Sequence, residues 1–430
     1  DPRMSPPVFV EASAALPLVT LTIGFLTGSA ADPPGKEGLS RVAARMLRRG
    51  AEGLTNEQIE DTVDRLGGEL GVEAGPSSVS LSSEVISRNL MPFVDLVERL
   101  LATSTFPEEE VGRVIREMQA EIVDSRDSDR SLASRALRRT LFAGHPYARR
   151  VSGSIPSLDT ITRADVVGWI SANLTRENAV VAFSGDIDEV RAKEIADKIL
   201  ARLPAGQAHV DATPEPTGVR GRHLVLVDKP DRSQVQLVVG SLGTTPHDPD
   251  HLAWSVGNTA FGGTFTSRLM QEVRAKRGWS YGASSRIGYD RRRDAFTMWT
   301  APGSADAAAC LELELGLVAE VKDGGLSEEE VAFVKNYLVR SHAFDVDTAR
   351  KRVALPLEEG LLGLPAGYHA GWIDRVRAVG RAEINAALAR RMPREDLVVA
   401  AVVTRAETGE ALEKALGDVA SVTVLEPDFE

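Results

Sequence analysis

The feature that most constrains this chain is that it repeats itself. Phe106-Pro-Glu-Glu-Glu-Val111, with Val114 and Met118 behind it, returns as Leu326-Ser-Glu-Glu-Glu-Val331, with Val334 and Leu338, 220 positions later. A second set follows in the same order at a displacement of 218: Arg163-Ala-Asp165, Arg176-Glu-Asn178 and Val180-Val-Ala182 against Arg381-Ala-Glu383, Arg394-Glu-Asp396 and Val398-Val-Ala400. Two ordered matches at nearly one displacement imply a tandem duplication, so the fold has to be one plan built twice. A chain of 430 residues is also too long for a single compact core.

The plan can be read from the first copy. Val19, Leu21, Ile23 and Phe25 alternate with threonines as a strand with one buried face. Gly38 to Arg49 predicts a helix, and Thr55 with Gln58 forms a capping box for the next one. Val79 and Leu81 alternate with serines, long amphipathic helices are expected at Leu90–Ala102 and Glu108–Val123, and Ala179–Ser184 is an apolar strand ending at Gly185-Asp186. Strands followed by runs of helices predict an α+β fold: two homologous domains, each a mixed, mostly antiparallel β-sheet packed with α-helices. The stretch Pro204 to Arg222 lacks hydrophobic periodicity and is rich in Pro, Gly, Ala and Thr. The expected domains are therefore 1–205 and 223–430, with a linker at 206–222.

Composition excludes some functions. Fifty Lys and Arg against 62 Asp and Glu give a formal net charge of -12, which disfavours a nucleic-acid partner. The longest apolar stretch, Leu16 to Leu26, is interrupted by Thr and Gly and is too short to span a bilayer. The lone Cys310 excludes an intrachain disulfide and lies in a helical Ala/Leu/Glu run, where a small buried thiol is expected rather than a nucleophile.

One local run suggests chemistry. In Ser267-Arg-Leu-Met-Gln-Glu-Val-Arg-Ala-Lys-Arg-Gly-Trp-Ser-Tyr281, Ser267 is an N-cap for a helix over Arg268–Lys276 and Gly278 is a stop. Ser280 to Tyr289 predicts a strand with Tyr281, Ala283, Ser285 and Ile287 on one face. The Arg274 guanidinium and the Tyr281 phenol can then point into one small volume, as donors suited to a carbonyl oxygen or an oxyanion. The plainer reading, in which Arg274 caps a surface salt bridge and Tyr281 packs half buried, stands beside it at this level.

Taken with Gly38-Leu39, His145-Pro-Tyr147, Gly153, Asn178 to Gly185-Asp186 and Gly262-Gly263 before Ser267-Arg-Leu269, the run resembles the pitrilysin/insulinase family of zinc peptidases, including its processing-peptidase relatives. The resemblance covers nearly the whole chain. The family's chemistry requires His-x-x-Glu-His on a helix: two zinc ligands one turn apart and a glutamate that activates water, with a distant Glu as third ligand. Here the matching stretch reads Arg41-Val-Ala-Ala44-Arg45, so cations replace both ligands and alanine replaces the base. The distal position is matched by Glu117, seven residues after Glu110. No other His-x-x-Glu-His occurs, and no zinc or other cofactor is expected in this chain.

The resemblance implies that Arg274 binds a substrate backbone carbonyl and that Tyr281 stabilises the oxyanion, for which a homologous subunit with an intact His-x-x-Glu-His motif must supply zinc and base. The substrate implied is an unfolded oligopeptide. The alternative is a non-catalytic scaffold, like the family's core-type relatives in respiratory complexes, or a peptide-binding subunit. Arg41 and Arg45 are expected to form ion pairs rather than a binding site. A soluble, periplasmic location is favoured over a cytoplasmic one. Other candidates are weak: Asp248-Pro249 reads as a helix start that separates His247 from His251, His145 reads as packing, Gly262-Gly263 lacks the Gly-Lys-Ser/Thr of a phosphate loop, and Arg291–Arg293 beside Asp290 and Asp294 reads as a solvated turn.

Overall fold

The computed structural model describes residues 6–207 and 209–430; the first five residues of the expected first domain and one residue of the expected linker lie outside the described residues. Its first sheet contains β1 (Val8–Ala12), β2 (Leu18–Phe25), β3 (Gly68–Ala74), β4 (Val79–Ile86) and β5 (Ala179–Gly185), in the order β1-β5-β2-β4-β3. The β1/β5 pair is parallel and the other three are antiparallel. The second contains β6 (Arg222–Asp228), β7 (Gln236–Leu242), β8 (Ala283–Tyr289), β9 (Arg293–Thr300), β10 (Leu397–Val403) and β11 (Val419–Leu425), ordered β8-β9-β7-β10-β6-β11. Here β6 is parallel to β10 and to β11, and the remaining pairs are antiparallel.

Without β11, the second order is the first read element for element: β6 stands for β1, β7 for β2, β8 and β9 for β3 and β4, and β10 for β5. The repeated sequence blocks have equal lengths in structure. Helices Glu108–Ser125 and Glu328–Asp345 are 18 residues each, Arg163–Asn173 and Arg381–Arg391 are 11 each, and β5 and β10 are 7 each. The α+β duplication is thus borne out.

Packing follows the pattern of each strand. In β2 the side chains of Val19, Leu21, Ile23 and Phe25 are buried and the intervening threonines are partly exposed. Strands β5 and β10 are apolar runs, buried almost end to end, and such strands need cover on both faces. In each unit one cover is a helix that the sequence encodes in the other half. Labelling Leu39–Met46 as α1, Asp129–Leu141 as α2 and Ala349–Leu362 as α3, helix α2 packs on β10, β7 and β6, and α3 packs on β5 and β1. The two compact units are accordingly discontinuous. One holds the chain up to Ile122 with Arg149–Thr213 and Ala343–His369; the other holds Val123–Ala148, Pro214–His342 and Ala370–Glu430. This exchange of equivalent helices formed no part of the contiguous 1–205 and 223–430 expectation.

The expected capping box is present: the Gln58 amide donates to Thr55 Oγ1 over 3.3 Å and the Thr55 amide to Gln58 Oε1 over 3.0 Å. Gly185, where β5 ends, has φ +102°, and a Cβ there would lie 2.1 Å from the Leu18 carbonyl oxygen. Both the left-handed backbone and the contact require glycine. Gly185→Ala is expected to cost about 3 kcal/mol of stability by urea unfolding; a loss below about 0.5 kcal/mol would contradict this account.

Candidate functional site

Helix α1 carries the positions of the zinc motif, and its start is set by a buried carboxylate. Asp32 accepts the Gly38 amide at 2.9 Å and the Ser40 amide at 3.0 Å, which satisfies donors that a helix N-terminus leaves open. Burial pushes Asp32 up to about 7, against the pull of those hydrogen bonds. The helix runs Leu39–Met46 instead of reaching Arg49, so Arg48 and Arg49 follow its end.

Ala44 is fully buried, while Arg45 and Arg41 reach the same carboxylate. Arg45 Nη1 and Nη2 donate to Glu121 at 2.8 and 2.9 Å, and Arg41 Nη2 approaches it at 3.5 Å. The Arg45 hydrogen bond holds Glu121 below the usual carboxylate range, and burial followed by the nearby Arg45 lowers the pKa of Arg41. Glu117 is instead held by Arg49, at 2.7 Å, and Arg49 also meets Glu110 at 3.4 Å. The carboxylate facing the two motif positions is therefore Glu121, one helical turn beyond Glu117. Sequence matching missed it because the local Arg-Glu-Met pattern points to Glu117.

These residues do not fit a zinc ion. A guanidinium has no lone pair to donate and stays charged at any ordinary pH. Among the described residues no group of three or more His, Cys, Asp or Glu side chains is placed to hold a metal. The geometry nonetheless implies a test. Putting histidine at 41 and 45 should give a zinc site whose third ligand is Glu121. In the Arg41→His/Arg45→His background, Glu121→Ala should then lower zinc affinity at least about tenfold and Glu117→Ala should not, as read by metal titration.

The Arg274 segment is built differently from the sequence expectation. Ser267 caps it, with the Met270 amide 3.4 Å from Ser267 Oγ. Only Arg268–Met270 is α-helical; Gln271–Ala275 widens into a π turn, a form often found at functional sites. Gly278 terminates the turn as expected, at φ +64° with its amide 2.9 Å from the Arg274 carbonyl. Arg268 ties the segment down through Glu330 at 2.7 Å and the Gly325 carbonyl at 2.9 Å.

The strand begins at Ala283, not Ser280. Ser280 is buried, accepts the Ala301 amide at 2.9 Å and donates to the Gly282 carbonyl at 2.5 Å, and the bend it holds turns Tyr281 away from the sheet. Tyr281 is 85% exposed, unlike Ala283 and Ser285, so it does not share their buried face. Even so, Arg274 and Tyr281 meet: the guanidinium carbon is 4.6 Å from the centre of the phenol ring. This is a cation–π contact, worth about 0.5–1 kcal/mol at an exposed site. It occupies the face of the ring and not its hydroxyl; Tyr281 is exposed, Arg274 is half-buried, and Arg274 makes no ion pair among the described residues.

The remaining candidates are structural. His145 Nε2 lies 2.8 Å from the Pro214 carbonyl oxygen, its Nδ1 accepts the Tyr147 amide at 3.0 Å, and its ring packs edge-on against Tyr147. The helix after His247 starts at His251 with Asp250 before it, so Pro249 precedes the helix instead of opening it. His251 lies 2.8 Å from the Thr244 hydroxyl, and burial pushes it down to about 4. Burial pushes the Cys310 thiol up to about 12, which removes it as a nucleophile. Arg292 and Arg293 pair with Glu215 at 3.7 and 3.5 Å, at the turn between β8 and β9.

Comparison with known proteins agrees with this architecture. Residues 8–154 match the family model "Insulinase (Peptidase family M16)" and residues 160–338 match "Peptidase M16 inactive domain". A Helicobacter pylori protein described as "Non-peptidase homolog YmxG" is 21% identical over 92% of this chain and 91% of its own length. A Rickettsia bellii "uncharacterized zinc protease" is 24% identical over 62% of this chain, a match spanning 64% of the Rickettsia protein. The crystal structure of a peptidase M16 inactive domain from Pseudomonas fluorescens superposes with a TM-score of 0.86 at 25% identity, covering 93% of this chain and 95% of that one. With two M16 models matched in succession along a duplicated fold, and arginines and alanine in place of the zinc ligands and base, this chain belongs to the M16 (insulinase) peptidase family as an inactive homologue.

Proposed function

We propose that this chain is the non-zinc subunit of a two-chain metallopeptidase acting on oligopeptides, and that it lends Arg274 and Tyr281 to a zinc site on a homologous subunit. One observation carries the reading: two hydrogen-bond donors, an exposed tyrosine and a half-buried arginine without an ion pair among the described residues, are held together in a chain with no metal ligand or base at the motif positions. Donors of this kind act on charge that develops in a transition state, but they cannot generate a nucleophile. Arg274 would bind a substrate carbonyl and Tyr281 would donate to the scissile carbonyl oxygen as it becomes an oxyanion. The base, the metal and the attacking water would all come from the partner.

The name of the Helicobacter relative, "Non-peptidase homolog", favours a second reading, in which the chain is a scaffold or a peptide-binding subunit without a chemical role. The two are separated by assaying peptide hydrolysis with this chain alone, a homologue bearing His-x-x-Glu-His alone, and the mixture, each with added Zn²⁺. Activity confined to the mixture, and sensitive to Tyr281, supports the first reading. A homologue fully active by itself, with no gain on mixing, supports the second. Hydrolysis by this chain alone with one bound zinc would contradict both.

A further inference from the structure

A cavity of about 280 Å³ lies beside α2 on the face of the second sheet. Strand register builds its floor. Ser284 pairs with Trp299 and Arg286 with Thr297 across β8 and β9, so these four side chains share one face. Helix α2 adds Arg130 and Arg138 to the lining.

The charges in this cavity do not balance. Arg138 is neutralised by Asp294 at 2.5 Å and also donates to the Tyr147 carbonyl at 3.2 Å. The Arg130 guanidinium carbon sits over the Trp299 ring, 4.0 Å from its centre, and the indole is fixed by its N–H donating to Gln236 Oε1 at 2.8 Å. Among the described residues neither Arg130 nor Arg286 makes an ion pair, so three guanidiniums face one carboxylate in a chain of formal net charge -12. Like charges side by side repel, and a planar fork held on an indole is already ordered for a bidentate anion. The cavity also adjoins the candidate site: a Cβ on Gly282, the residue after Tyr281, would come within 3.0 Å of the Trp299 ring.

We propose that this pocket binds a carboxylate of an extended peptide, from an Asp or Glu side chain or from the C-terminus, with Arg130 and Arg286 as its ligands. The peptide part of the assignment rests on the reading of Arg274 and Tyr281 given above; the anion part rests on the pocket. Such a pocket would give a peptide-handling surface a preference for acidic substrates. It would also fix the register of the chain relative to Tyr281.

The test is direct binding to this chain alone, followed by fluorescence anisotropy of labelled extended peptides, so it does not depend on hydrolysis. An amidated peptide with one central Glu should bind about tenfold more tightly than the same peptide with Gln, by loss of charge-assisted hydrogen bonds. A third peptide, with Gln and a free C-terminal carboxylate, distinguishes the two sources of the group. Arg130→Gln and Arg286→Gln together should abolish the Glu preference, and Arg286→Glu, which leaves two guanidiniums against two carboxylates, should abolish it by itself; all three changes are at exposed positions. Equal binding of the Glu and Gln peptides, a preference that survives the double variant, or no binding of any peptide would overturn the proposal. Displacement of the Glu peptide by an equal concentration of inorganic phosphate would overturn the carboxylate assignment. If Tyr281 proves irrelevant to hydrolysis while the Glu preference is present and lost in the double variant, the reading of the Arg274–Tyr281 pair fails and the pocket stands.

Discussion

Tyr281→Phe, in the mixture with a zinc-bearing homologue, is expected to lower kcat by about 10²–10³ and to leave KM within about twofold. The size is that of removing one donor from an oxyanion hole, about 2.7–4 kcal/mol of barrier. The substitution is clean for physical reasons. The ring is 85% exposed, so losing its hydroxyl leaves no buried group unsatisfied. Phenylalanine keeps a π face, so Arg274, now 4.6 Å from the ring centre, keeps its platform. An effect on kcat alone belongs to a contact made only in the transition state, whereas a rise in KM alone would belong to ordinary substrate binding. Arg274→Ala should show the second pattern if its role is to hold a ground-state carbonyl. Unchanged kcat for Tyr281→Phe, with the two chains still associating, would remove Tyr281 from the mechanism.

The largest expected effect on stability comes from a residue with no place in that mechanism. Glu314 is fully buried on the helix Ala307–Gly324, and neither carboxyl oxygen has a well-formed hydrogen bond. Burial, opposed weakly by the Thr300 hydroxyl, pushes its pKa from 4.5 up to about 8. The folded state therefore holds a proton that the unfolded chain releases. The contribution to stability is complete below pH 4.5, falls as the pH rises toward about 8, and is gone above that. The integrated loss is at most about 5 kcal/mol. Glu314→Gln cannot ionise and should flatten this part of the profile, so that the variant gains on the wild type between pH 5 and pH 9 in denaturant unfolding. A variant whose stability tracks the wild type across that range would show that Glu314 does not titrate in this window. The same ionisation acts on Cys310, whose thiol is raised further by the Glu314 charge.

How far the fold was legible depends on whether a feature is local. The strand Leu18–Phe25, the capping box at Thr55 and the helix beginning at Glu108 announce themselves by period or by cap chemistry, and the structure places them where those signals point. Boundaries fared worse where local and tertiary demands compete. The run Arg268–Lys276 has helical propensity throughout, yet most of it becomes a π turn, while Arg268 is bound to Glu330 and the Gly325 carbonyl. Tyr281 alternates with Ala283 and Ser285 as a strand residue should. The two hydrogen bonds of the buried Ser280 nevertheless bend the chain before the strand begins, and no period in the sequence reports them.

The candidate sites divide in the same way. The loss of the zinc motif at Arg41, Ala44 and Arg45 can be read directly, because it depends only on which side chains occupy fixed spacings on one helix. Which carboxylate faces them cannot. Glu117 and Glu121 are both on one long helix, and only the fold brings Glu121 to Arg41 and Arg45 while Glu117 meets Arg49. The anion pocket was out of reach for a stronger reason: Arg130 is more than 150 residues from Arg286 and Trp299 and meets the indole only when α2 packs on the second sheet.

By itself, then, the sequence determined that the chain is one α+β plan built twice, that it belongs with the M16 peptidases and that it lacks their metal ligands. Repeats, periods and motif spacings are properties of residues close together in the chain, and they survive without any knowledge of packing. Only the tertiary structure decided that Arg274 stacks on an outward-facing Tyr281, that each unit borrows a helix from the opposite half, and that Arg130, stacked on Trp299, and Arg286 have no carboxylate partner among the described residues. Those outcomes are set by which apolar faces must be covered and which charges meet across the fold, and both are long-range terms that no local pattern encodes.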